Sequence, residues 1–397
     1  MKSEVFPVHL CKVIKIIATF AKNRYEMKVE REIAGFTLPF AAGILIISLV
    51  GNHIFSTHHA LATISFGAVS AMLIYTMHPS RKKLGTIGRA ILTGGMALWL
   101  GILCMECQEI LSVSSSGGHL TARAERYGIM MQKAVDAIPF AAAETNAIIK
   151  ALLTGERADI PTEVTNAFRD SGASHILALS GFHLGIIYGI VRLMLSSFGN
   201  QRKVLLVRSV ITVASCGFYT MATGAGASIV RAFLFILIHE SASLTHRYHS
   251  TASTLLAALF IQLAISPESI TSTGFQLSYA AMAGIAFIFP WLKGLWPGNP
   301  HKDRSFTRCV RWIWNSASLS ISCQLTTGPL AWIHFHSFPQ HFLLTNLIVL
   351  PLASLIIPAA LATMVLYSID LCPPLLIKGT EFLVDTMTTA LEIISAM

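Results

Sequence analysis

Runs of about 20 apolar residues alternate with short polar connections along most of the chain. That length carries a helix across a bilayer. The pattern places spans at 36–56, 58–77, 88–111, 174–195, 203–224, 227–245, 250–266, 272–292, 310–333 and 345–368. Open sheets leave backbone groups unsatisfied in lipid, so spans of this kind predict an all-α, polytopic helical membrane protein with about ten transmembrane helices.

Three segments follow a different rhythm. Residues 1–32 are basic and amphipathic (Lys2, Lys12, Lys15, Lys22, Arg24, Lys28, Arg31) and predict a helix on the cytoplasmic face. They lack a short apolar core followed by a small-residue cleavage site, so no cleavable signal peptide is expected. Residues 121–170, broken by Pro139 and Pro161, predict helices along the outer surface. After Pro373 and Pro374, one side is apolar and the other carries Lys378, Glu381, Asp385 and Glu392, which predicts an interfacial helix rather than an eleventh span. The chain then divides into a cytoplasmic basic segment (1–32) and a three-span membrane segment (33–111). An extracytoplasmic linker with amphipathic helices (112–173), the main membrane body (174–370) and a C-terminal interfacial helix (371–397) follow.

Composition agrees with this class. Of 397 residues, 53% are apolar and only 12% charged, about half the charged share of a soluble domain. Lys and Arg concentrate in alternate connections, 21 of 29 falling on one side, while the short connections at 52–59, 223–226, 266–273 and 334–342 hold none. The positive-inside rule then puts the N-terminus in the cytoplasm. It also explains most of the formal net charge of +9, which therefore says little about nucleic acid. The 112–173 segment sets six basic residues against seven acids, so it is no electrostatic funnel.

Arg231 is the one basic residue well inside a predicted span. At a helix centre it costs about 3 kcal/mol, so it must face a partner or water rather than lipid. The span at 174–195 carries Ser174, His175, Ser180 and His183. On a continuous helix the two histidines lie two turns apart on one broad side, with Ser180 one turn before His183. They read as the lining of a hydrated path, against the plainer reading of helix–helix hydrogen bonds worth about 0.6 kcal/mol each. Ser180 and His183 also fit a nucleophile and its base, although neighbours at this spacing on one helix rarely align for catalysis. Gln276, Ser278, Asn315, Gln324 and Asn346 are further polar positions in spans, and Pro329, Pro351 and Pro358 mark kinks.

Several motifs point away from other chemistry. Cys104 and Cys107 lack a second ligand pair for zinc. His334 and His336 are followed by Ser337 and Phe338, not by the Asp and His of a two-metal hydrolase. No phosphate-cradling loop of GxxxxGK[ST] type occurs, so any motor must be a separate protein. No metal or cofactor is expected. The residues leave three functions open: a channel, a secondary transporter for a small anion, and an intramembrane serine hydrolase.

Several motifs occur in order: ALLTGER, NAFRDSGASHILALSGFHLG, GASIVRAF, ISPESITSTGFQLSYAAMAGI, ISCQLTTGPLAWIHFHSFP and TNLIVLPLASLIIP. Together they make residues 145–370 resemble the competence domain of the ComEC family. The resemblance implies passage of single-stranded DNA across the bacterial inner membrane during natural transformation, by a transporter without a catalytic residue of its own. By position it nominates Arg231, His175, Ser180, His183, Gln276 and Gln324 as the residues lining or shaping the path. It implies a separate DNA receptor, a nuclease and a cytoplasmic ATPase motor as partners, the lipid bilayer as surroundings, and leaves a homo-oligomer open. Many family members also carry an OB-fold and a metallo-β-lactamase-like domain. Neither is legible here, so the resemblance is to a compact form.

Overall fold

A computed structural model of the chain describes residues 29–49, 64–65, 67–72, 85–112, 119–199, 201–245, 250–296, 305–336 and 341–397. The expectations for residues 1–28, most of the 58–77 window, the linker at 113–118 and Arg247 lie outside these. All regular structure among the described residues is helical. In chain order the helices are α1 (Val29–Leu49), α2 (Thr86–Ser112), α3 (His119–Asp136), α4 (Ala143–Thr154) and α5 (Thr162–Asp170). A single turn, α6 (Ser174–Leu177), precedes α7 (Gly181–Leu195), α8 (Arg202–Ala222), α9 (Ala227–Thr245) and α10 (Thr251–Ile265). Then come α11 (Thr273–Ala283), a π turn (Gly284–Ile288), α12 (Phe289–Gly294), α13 (Ser305–Phe335), α14 (Phe342–Ser368) and α15 (Pro374–Ser395).

Six of these helices are long and apolar enough to cross a membrane: α1, α7 with its last short turn, α8, α9, the α11–α12 rod and α14. The molecule is a multi-pass membrane protein. Large apolar side chains such as Leu206, Val210, Phe218, Leu355 and Val365 are exposed, as helices bathed in lipid require. Six of the ten windows read from the sequence correspond to these helices, and the window at 58–77 lies mostly outside the described residues. The apolar part of α2 (Ala90–Glu106) and the whole of α10 are short. Helix α13 spans 31 residues but carries Arg308, Arg311, Asn315 and Gln324 among its apolar positions.

The chain forms two compact units. The first comprises residues 1–115 and 247–271. In it α1 and α2 approach backbone to backbone. A Cβ on Gly43 would collide with the Leu98 carbonyl oxygen, and one on Gly101 would collide with that of Phe40. Small residues of this kind let membrane helices touch. The Phe260 ring of α10 packs edge-on against Phe36 and Phe40, with centroids 5.4 and 4.9 Å away. Gly101→Val is expected to push α1 from α2, because a backbone carbonyl cannot step aside. Overpacking of this kind costs about 1–3 kcal/mol, read as a lowered unfolding midpoint in detergent, with Gly94→Ala, whose Cβ meets nothing closer than 3.6 Å, unaffected.

The second unit holds residues 116–246 and 272–397. Its largest core joins α4, α5, α14 and α15 through Ile148, Leu152, Phe168, Ile356, Val384 and Met387. Helix α4 is buried by its packing, with nine of its twelve residues inside, Thr145, Lys150 and Thr154 among them, a deeper place than a helix lying along a surface. Its Lys150 is 7% exposed and meets Asp136 at 2.6 Å and Asp159 at 2.7 Å. Helix α15 buries Thr380, Val384, Met387, Leu391 and Ile394 and exposes Leu375 and Phe382.

Burial opposes the charge of Lys150, but hydrogen bonds and attraction from Asp136 and Asp159 outweigh it and hold its pKa above the ordinary 10.5. A group whose folded pKa is raised stabilises the fold below its unfolded pKa and loses that contribution as pH rises through the folded value. Wild type should therefore exceed Lys150→Met in stability at neutral pH, and the difference should shrink as pH climbs through the lysine range. Paired denaturation curves across that range measure it.

Candidate functional site

The Ala151–Gly185 run folds into a broken path, and each break has a local cause. Helix α4 ends at Gly155, whose φ of +82° is open to glycine and whose N–H donates to the Ala151 carbonyl at 2.9 Å. A Cβ there would lie 2.7 Å from Leu179 Cδ1, so Gly155 also makes the seat for Leu179. Downstream, Glu156 Oε1 accepts from the N–H groups of Arg157 and Ala158 at 3.0 Å each. Helix α5 ends at Gly172 (φ +83°), and the Ser171 carbonyl accepts from Thr345 Oγ1 at 2.7 Å.

The predicted continuous helix over 174–195 does not form. After the single turn of α6 the backbone runs extended through Ala178 and Ser180, and α7 starts afresh at Gly181. Ser180 is its N-cap: its Oγ accepts from the Phe182 N–H at 3.3 Å, and its own N–H donates to His183 Nδ1 at 3.3 Å. This is a capping box in which histidine takes the place usual for Glu or Gln. His175 and His183 therefore lie on different helices. His175 sits exposed on α6, its Nδ1 3.1 Å from the Gly172 carbonyl, whereas His183 is fully buried. Helical periodicity put both histidines on one helix; a serine able to cap a new one was the available signal of the break.

The nucleophile–base geometry is spent on that cap. Ser180 Oγ lies 3.1 Å from His183 Nδ1, but the same nitrogen accepts from the Ser180 backbone. His183 Nε2, where a third group would orient a catalytic base, is buried without a partner among the described residues.

Arg231 of α9 lies against this cap. It is 7% exposed, and its Nη2 is 3.1 Å from where a Cβ on Gly181 would stand. Gly181 is the first residue of an ordinary helix, so the contact and not the backbone conformation calls for glycine. Arg231 Nη1 donates to the Ser278 carbonyl of α11, and the guanidinium lies 6.0 Å from the centroid of the Tyr279 ring. Its Nε has no partner, and no carboxylate within ion-pair distance is found among the described residues. Three helices thus meet at one uncompensated cation.

The other nominated residues divide. Gln276 lies two residues before Ser278 on α11, and its Oε1 is 2.9 Å from His334 Nε2 of α13. Gln324 is half-buried on α13 beside Cys323, whose Sγ lies 3.9 Å from the Ala281 carbonyl. Arg231 and the Ser180–His183 cap form one site. Gln276 and Gln324 belong to the adjoining α11–α13 contact, where Gly284 approaches so closely that a Cβ on it would collide with the Ser322 carbonyl oxygen.

Sequence reading missed Glu240. It is 1% exposed within α9 and accepts from Ser209 Oγ of α8 at 2.5 Å, from Tyr188 OH of α7 at 2.7 Å and from Arg192 Nη1 at 3.4 Å. The signal was a lone acid near the end of an apolar window, which hydropathy averaging hides.

Comparison with known proteins places this architecture. Residues 152–397 match the family model described as Competence protein. The chain is 27% identical over 249 residues to the uncharacterized protein YcaI of Escherichia coli, covering 60% of this chain and 31% of that protein. It is 25% identical over 228 residues to ComE operon protein 3 of Bacillus subtilis (57% and 27%). It is 23% identical over 222 residues to Recombination protein 2 of Haemophilus influenzae (54% and 28%). The matched region spans about three tenths of the length of these relatives. No solved structure matches the chain.

Proposed function

The chain belongs to the Competence protein family, of the ComEC type, and from that premise we propose that it forms the membrane passage through which single-stranded DNA enters the cell. It acts as a transporter rather than an enzyme in this reading. The observation that carries it is Arg231, a buried cation without a counter-charge among the described residues, beside a break in a membrane helix. Irregular backbone at membrane depth is stable where protein buries it or where it lines a wet cavity, and an unpaired arginine there marks a path for anions.

The chemistry suits a sliding polyanion. Conduction requires binding strong enough to admit the strand and weak enough to release it. One guanidinium beside the Ser180 cap meets that better than a row of lysines would. The distribution of Lys and Arg supports a reading in which the N-terminus is cytoplasmic and the break lies toward the outer side of the inner membrane. A cytoplasmic ATPase motor, an external DNA receptor and a nuclease complete the system as separate activities.

A competent strain deleted for the gene and complemented by this chain tests the reading. Restored transformation is the expected result; membrane-inserted protein that leaves transformation at the deletion level sinks it. The second reading, a permease for a small anion, draws on the same observation, since a single cation suits one small anion as well as one phosphate of a chain. Reconstituted vesicles separate the two: small-anion flux without passage of an oligonucleotide favours the permease.

A further inference from the structure

We infer that the start of α7 and Arg231 form a binding site for a phosphate oxyanion, one phosphodiester at a time, in which the anion replaces the carbonyl of Ser278 as the partner of the guanidinium. The carrier of that phosphate, DNA, rests on the transport reading above; the site itself does not.

Four observations converge. First, α7 is a 15-residue helix, and the positive end of its dipole lies at Gly181, against the Arg231 guanidinium. Second, Arg231 presses on Gly181, the first residue of that helix, and two positive ends placed together, with no acid at ion-pair distance among the described residues, repel unless an anion joins them. Third, Arg231 Nε–H is buried and unpartnered. Fourth, His183 Nδ1 accepts from the Ser180 N–H, so the neutral ring carries its proton on Nε2, and that N–H is also buried and unpartnered. The tautomer follows from the hydrogen bond. Both orphans are donors, and buried donors without acceptors cost stability. What is missing is an acceptor.

The Ser278 carbonyl is a neutral stand-in. A phosphate oxygen offers a full charge to the same Nη1 and forms the shorter, stronger bond of an ionised acceptor. The Ser180 hydroxyl, which caps the first turn, is the group an arriving oxygen would displace or join.

The test uses the full chain in detergent or nanodiscs. A labelled oligothymidylate is titrated at several salt concentrations, with tripolyphosphate as competitor and a methylphosphonate oligomer as the uncharged control. The expected result is binding that tripolyphosphate competes away and the methylphosphonate lacks. Arg231→Gln should weaken it roughly tenfold and lower the slope of log K against log salt by about 0.7, one single-strand phosphate contact. Arg231→Lys should keep the slope, and Gly181→Ala, which displaces the guanidinium without removing charge, should weaken binding at unchanged slope. An equal slope in wild type and Arg231→Gln overturns the site, whatever the transformation phenotype. Arg231-dependent binding of tripolyphosphate without binding of the oligonucleotide upholds the site and removes DNA as its ligand.

Discussion

Arg231→Ala is expected to reduce transformation to the level of the deletion strain while the protein still inserts and accumulates. The two halves of this result have separate causes. Insertion should not suffer, because removing an arginine from a membrane helix relieves transfer cost, at most about 3 kcal/mol for a central position. Packing should survive too: among the described residues the guanidinium has one hydrogen-bond partner, the Ser278 carbonyl, and no ion pair whose loss would strand a carboxylate. What disappears is the charge beside the start of α7. Arg231→Lys keeps that charge but presents a point cation in place of a planar fork, so partial transformation is the expected outcome. Transformation frequency and immunodetection of membrane-inserted protein, taken on the same cultures, measure both. Wild-type frequency in Arg231→Ala would take this residue off the path.

Glu240→Ala should do the reverse, costing stability first. The carboxylate collects donors from α7 and α8 onto α9, and the distances rank them. Ser209 at 2.5 Å and Tyr188 at 2.7 Å are short hydroxyl–carboxylate bonds, while Arg192 at 3.4 Å is at the edge of contact and partly exposed. Hydrogen bonds to a charged group contribute about 1.5–3 kcal/mol each, although bonds between membrane helices average nearer 0.6 kcal/mol. Losing all three acceptor contacts and leaving Arg192 without a counter-charge should cost about 3 kcal/mol, the lower end for breaking a buried pair. Glu240→Gln retains an acceptor and should lose about half as much. Arg192→Ala should cost under about 1 kcal/mol, as a partly exposed pair does. Unfolding midpoints in a fixed detergent read all three. Equal losses for Arg192→Ala and Glu240→Ala would mean that the ion pair, not the hydroxyls, holds the cluster.

The two buried charges of α9 show what a sequence can and cannot disclose. Arg231 was legible because an arginine in a long apolar window is anomalous on its own. Glu240 was not, since a single acid one turn from the end of a window looks like a boundary residue. Its meaning lies in Tyr188 and Ser209, which reach it from other helices. The same holds for the histidines: their spacing is visible, but whether that spacing runs along one helix depends on what the intervening residues do.

Apolar run length alone determined the helical membrane class and the places of α8, α9 and α14, because burial of the backbone in lipid leaves a chain of this composition no other regular structure. Ordered motifs alone pointed to the family. Only the tertiary structure decided where the 174–195 window breaks. Leu179 seats on Gly155, 24 positions earlier, and that contact, with the Ser180 cap, outweighs the preference of ILALS for helix. Tertiary packing also decided that α4 is a core helix and that Arg231 meets the start of α7. Hydropathy and periodicity are sums over neighbours in the chain, and these outcomes depend on neighbours in space.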